Sequence, residues 1–170
     1  MAAAFLYGLA EMPLENVTLS DVAIAMAADA APGYADMADD LELMQGVGIF
    51  ARNARGLRLH NVEVSGRRGP ALTIEDAADI EISAGITRTP AAEAPMILLR
   101  NVEGAFIHGC RAGAGTEVAL QVEGARTRDV VLRGNSLARA RQPLQAASDV
   151  PPGAVWDDEP VPHNREGYQP

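Results

Sequence analysis

Two groups of residues in this sequence have types and spacings that could do chemistry. Asp36, Asp39, Asp40 and Glu42 place four carboxylates within a short stretch. Carboxylates this close can share acid/base work or hold a hard cation through oxygen ligands. Their spacing matches no calcium-loop pattern and lacks the glycine that such a loop requires, so a solvated acidic loop is the plainer reading and no metal ligand is assigned. The second group is His60, Ser83, His108 and Arg133, which follow Ser20 at corresponding positions of an internal repeat. Stacked, they would make a polar stripe able to hydrogen-bond a linear sugar, although strand alternation alone also sends polar residues outward. His60 and His108 would stand two rungs apart, about 9–10 Å, too far to ligate one metal. Cys110 falls at an inward repeat position and reads as a small hydrophobe rather than a nucleophile. Arg67-Arg68 reads as a solvated turn, with an anion contact as the alternative.

The elements that must position these groups follow from the repeat. A pattern of apolar, any, apolar, two spacers, apolar or Asn, any, apolar runs through Val17-x-Leu19-x-x-Val22-x-Ile24 and Leu57-x-Leu59-x-x-Val62-x-Val64. It returns, less perfectly, at Ile80-x-Ile82 with Ile86, then as Ala105-x-Ile107-x-x-Cys110-x-Ala112 and Val130-x-Leu132-x-x-Asn135-x-Leu137. The last four copies start 23, 25 and 25 residues apart. A second apolar pair precedes each: Ile49 and Ala51, Leu72 and Ile74, Ile97 and Leu99, Leu120 and Val122. Alternating pairs have the period of a strand. Strands this short cannot bury an apolar face alone, but stacked copies share one continuous core. Leu59, Ile82, Ile107 and Leu132 are expected to form one inward column. A leucine-rich repeat would need a helical return segment, which is not found, and a β-sandwich would not repeat in parallel sense.

The fold expected is therefore all-β: a right-handed single-stranded parallel β-helix of about five short coils over residues 1–142. A long insertion interrupts it at 27–46, where Tyr34 to Met44 has the composition of a short helix. Residues 143–170 hold six of the eleven prolines and the single tryptophan. Proline lacks a ladder donor, so this stretch is expected to leave the sheets as a tail or C-terminal cap, with Val155 and Trp156 as the cover.

Composition narrows the partners. The formal charge is −9, and residues 1–51 carry eight acids and no base. Nucleic acid and anionic lipid need a cationic footprint, and neither is expected as a partner. The apolar start, Met1 to Ala10, has no positively charged n-region and is too short to span a bilayer; it reads as a strand, and the default location is the cytoplasm. No cofactor is implied.

The stretch Gly8-Leu9-Ala10-Glu11-Met12-Pro13-Leu14-Glu15-Asn16-Val17, with Gly46-Val47-Gly48-Ile49 and Leu57-Arg58-Leu59-His60-Asn61-Val62 downstream, resembles the polygalacturonase-type (pectinase) family of glycoside hydrolases. The resemblance covers roughly residues 5 to 137 and corresponds to the C-terminal coils of that family's right-handed β-helix. It implies a carbohydrate context and a hydrolase fold. The family's activity rests on an Asn-x-Asp, an Asp-Asp pair, a Gly-His-Gly and an Arg-x-Lys. This chain has no lysine and no Asn-x-Asp, and Ile107-His108-Gly109 is the nearest echo of the third motif. The edges where the Asp pair would stand, Arg67-Arg68-Gly69-Pro70, Gly115-Thr116-Glu117 and Arg141-Gln142-Pro143, offer no opposed carboxylates of the kind glycoside hydrolysis uses. No catalytic residue is carried over.

The reading is a catalytically incomplete, pectinase-like β-helix acting as a structural, self-associating or carbohydrate-contacting protein. The alternative is a glycoside hydrolase, or part of one completed by another chain or an upstream segment. A bare N-terminal end at Phe5, Leu6, Tyr7 and Leu9 predicts a homo-oligomer, most simply a dimer through that end, unless the insertion folds over it.

Overall fold

The computed structural model describes residues 2–27, 31–34, 43–66, 68–87 and 94–157. Within them the chain is all strand and turn, with no helix. The strands are β1 (Ala2–Tyr7), β2 (Leu14–Glu15), β3 (Thr18–Ala25), β4 (Val47–Arg52), β5 (Ala54–Arg55), β6 (Arg58–Ser65) and β7 (Leu72–Ser83). They continue as β8 (Ile86–Thr87), β9 (Ile97–His108), β10 (Val118–Glu123), β11 (Arg128–Arg133), β12 (Gln142–Ala146) and β13 (Val155–Asp157). Every named pairing is parallel. One face stacks in the order β1-β4-β7-β9-β10-β12, and a second carries β3, β6, β7, β9, β11 and β13. The chain is a β-solenoid, as the repeat predicts.

Alternation sends one side chain in and the next out, and the register then builds columns. Leu19, Leu59, Ile82, Ile107 and Leu132 are cross-strand partners in succession. From Leu59 to Leu132 this column is at most 2% exposed. Ile49, Leu72, Ile97, Leu120 and Leu144 form a second column. The two apolar pairs of each repeat thus face each other across a narrow interior that small branched side chains fill.

The two spacers of the repeat have their own physical reason. Turning a flat ribbon through a corner in one step takes a residue with positive φ, which costs an L-residue about 1–2 kcal/mol unless it is Gly or, more cheaply, Asn or Asp. The nine described non-glycine residues with positive φ comprise eight Asn or Asp residues and Ala84. All nine fall at three corners. Asn53, Asp76 and Asn101 stack at the first; Asn16, Asp79 and Asp129 share the second with Gly56 and Gly104; Asp21, Asn61 and Ala84 share the third with Gly109 and Gly134. The amides also tie levels together. Asn61 Nδ2 donates to Asp21 Oδ1 at 2.6 Å, and Asn53 Nδ2 to the Gly8 carbonyl at 2.9 Å.

The tail departs from expectation. β12 pairs with β10 and β13 with β11, so Gln142–Ala146 and Val155–Asp157 prolong the stack. Pro143 is tolerated because strand neighbours alternate their backbone groups between the two sides. Gln142 N–H donates to the Glu117 carbonyl at 2.8 Å, so the position lacking an N–H faces the unpaired edge. Val155 packs on the core while Trp156 is 67% exposed, so Val155 covers the end and Trp156 does not.

At the other end, Leu6, Leu14, Val17, Leu19, Val22 and Ile24 point inward but stay only half-buried. Phe5 and Tyr7 alternate outward instead, where they join Met44, Val47 and Phe50 in a separate apolar cluster. The Phe5 ring stacks on Phe50 with centroids 5.2 Å apart. Gly33 and Met44 pair as an antiparallel bridge at the base of the insertion. The helix expected from Tyr34 to Met44 falls mostly on residues 35–42, outside the described residues.

Candidate functional site

The polar stripe assembles in the expected register. Ser20, His60, Ser83, His108 and Arg133 are successive cross-strand partners along the second face, one per rung. Each sits just before a third-corner residue, where the chain must turn and a large inward side chain has no room. His60 Nδ1 and Ser83 Oγ are 2.8 Å apart, and Ser83 is 7% exposed. His108 Nε2 lies 3.2 Å from Glu81 Oε1. Two members of the stripe are thus held by neighbours in the adjacent turn, His60 by Ser83 and His108 by Glu81.

A second outward row runs beside it. Thr18, Arg58, Glu81, Phe106, Val131 and Trp156 are successive partners. Phe106 is 40% exposed and its ring lies against the His108 imidazole, with centroids 4.5 Å apart. Arg58 and Glu81 approach to 3.9 Å. The sequence signal for this row was an aromatic in an outward slot: Phe106 sits between the inward Ala105 and Ile107, and Trp156 lies two 25-residue steps beyond it.

Among the described residues, the remaining groups are buried or ion-paired. Asp36, Asp39, Asp40 and Glu42 lie outside the described residues, and among the described ones no three His, Cys, Asp or Glu residues are grouped so as to hold a metal. Burial pushes the Cys110 thiol up to about 11, so it stays protonated at neutral pH. At the examined edges Glu117 is paired with Arg141 at 3.2 Å. A depression of about 410 Å³ over Ala77 and Ala78 has Asp76 and Glu103 on its rim. Both carboxylates are already ion-paired, with Arg126 and Arg128 respectively.

One feature that sequence reasoning missed lies on the first face. Arg52, Glu75, Arg100 and Glu123 alternate in charge along one outward row. Arg52 Nε donates to Glu75 Oε2 at 2.9 Å, and Arg100 reaches Glu75 Oε1 and Glu123 Oε2 at 2.8 Å each. Burial works to lower the Arg52 pKa, but the hydrogen bond and charge of Glu75, with help from Tyr7, hold it above its ordinary value. Spent on one another, these charges brace the face rather than offer a site.

No protein-family model, curated protein or solved structure matches the chain.

Proposed function

We propose that this chain is a catalytically incomplete, pectinase-like β-solenoid that contacts an extended polysaccharide without cleaving it. The observation carrying this reading is the His60–Ser83–His108–Arg133 stripe, which repeats hydrogen-bonding groups at the strand spacing of about 4.8 Å along the axis. A ligand that is itself a linear repeat of hydroxyl-bearing rings suits such a surface, and fixed side chains lower the ordering cost of binding it. Among the described residues Asp76, Glu103 and Glu117 are each ion-paired with an arginine, whereas inverting and retaining mechanisms both need two carboxylates across the bond. The test is a reducing-end assay on polygalacturonate and rhamnogalacturonan with the purified chain. No turnover is expected. Turnover that disappears in Asp39→Asn or Asp40→Asn would restore the hydrolase reading.

Self-association through the N-terminal end is the second part of the proposal. The half-buried Leu6, Leu19 and Ile24, beside edges of β1 and β3 that no described strand pairs, support it. Glu11, Glu15 and Asp21 also lie in that first turn, which has no base. Two such ends repel at low ionic strength, so the dimer should strengthen with salt. Light scattering at low and high salt would show a rising mass; a monomer under both conditions would reject it.

A further inference from the structure

We infer, building on the polysaccharide-contact reading, that the second face is built for a neutral, extended β-linked glycan that stacks its sugar rings on Phe106 and Trp156. Both aromatics stand in one outward row, with Val131 between them. Among the described residues they are the two exposed aromatic side chains of this face, at 40% and 67%. Two parallel rungs separate them by about 9.5 Å. An extended β-1,4-linked pyranose chain returns the same ring face after every second unit over nearly that distance, so alternate sugars fall on the two rings and the intervening one on Val131. The axial C–H faces of such rings are apolar and weakly positive, and the negative face of an aromatic ring receives them well. Phe106 is held by its contact with His108, which fixes the platform before binding.

The flanking stripe supplies what the platform lacks. His60, Ser83, His108 and Arg133 run parallel to the aromatic row, two residues further along each strand. A glycan lying on the aromatics would therefore present its equatorial hydroxyls to His108 and Arg133, which stand on the same rungs as Phe106 and Val131. The overall charge of −9 weighs against a polyanion, and Arg58, the cation of the aromatic row, already lies 3.9 Å from Glu81. A neutral chain meets no such repulsion. Spanning both aromatics takes three consecutive sugar units, so shorter ligands should lose one contact.

Trp156 is the single tryptophan in the sequence, so intrinsic fluorescence reports directly on this surface. The experiment is to titrate the full chain with cellohexaose, cellobiose and a galacturonate hexamer. Cellohexaose should shift and change the tryptophan emission, cellobiose should bind more weakly, and Phe106→Ala should weaken cellohexaose by about tenfold. Cellobiose binding as tightly as cellohexaose, or Phe106→Ala leaving the affinity unchanged, would overturn the inference. Trp156→Ala, followed by calorimetry, provides a variant at the end of the stack in case Phe106→Ala unsettles β9; it too must weaken cellohexaose. If the galacturonate hexamer binds and cellohexaose does not, this inference fails while polysaccharide contact stands. If none binds, both fail.

Discussion

His60 and Ser83 are 23 residues apart in the chain and one rung apart in space, where the imidazole Nδ1 and the serine Oγ meet at 2.8 Å. The contact exists because Leu59 and Ile82, their preceding neighbours, share the inward column and set the register. A buried hydroxyl thereby finds a partner, and a polar stripe on the surface is positioned by an apolar column beneath it.

That dependence makes the column the first thing to disturb. Ile107 is 2% exposed and lies between Ile82 and Leu132. Ile107→Ala should cost about 2–5 kcal/mol, read as a clear fall in denaturation midpoint. Arg126→Ala, at an exposed ion pair, should cost no more than about 1 kcal/mol. Equal losses in the two variants would contradict the register.

Ala84 is the corner residue with the wrong chemistry. At φ 54° it holds a conformation that its stack-mates Asp21, Asn61, Gly109 and Gly134 adopt more cheaply. Ala84→Gly relieves about 1–2 kcal/mol of strain and adds back about 0.4–1 kcal/mol of unfolded-chain entropy. The variant should therefore be more stable by roughly 0.5–1 kcal/mol. Chemical denaturation measures it, and a destabilised protein would mean that the corner is not strained.

Much of this architecture was readable because the period does the work. Once the 23- and 25-residue steps are recognised, Leu59, Ile82, Ile107 and Leu132 must stack, and the residues just after them, His60, Ser83, His108 and Arg133, must stack too. The same steps connect Arg52 to Glu75, Arg100 and Glu123, and Phe106 to Val131 and Trp156. Those rows are harder to read, because outward positions of any strand are polar and only repeated opposite charges or rings set them apart from solvated filler. The tail is hard to read for a different reason. Proline forbids a donor only on the side it faces, and which side Pro143 faces depends on register and edge position, not on composition.

Glu75 is the keystone of the ionic row, with its side chain 5% exposed between Arg52 and Arg100. Glu75→Gln leaves the partly buried Arg52 guanidinium short of a counter-charge and Arg100 with Glu123 alone, and should cost about 1–3 kcal/mol. Replacing the pair together, Arg52→Met with Glu75→Leu, should recover most of that loss, since a well-packed apolar pair often substitutes for a buried ion pair. Thermal unfolding of the single and double variants checks it; a double variant worse than Glu75→Gln would show that the charges are needed for more than mutual neutralisation.

On the proposed reading, the second face contacts polysaccharide and the solenoid does no hydrolysis. That reading is tested most directly by mapping backbone amide shifts during titration with oligosaccharides, followed by inspection of the same sample for cleavage products. Shifts are expected to concentrate at His60, Ser83, His108, Arg133 and their neighbours in β6, β7, β9, β11 and β13, with the oligosaccharide intact at the end. Shifts centred instead on the Arg52–Glu75–Arg100 face or on the depression over Ala78, or release of shorter sugars, would contradict it.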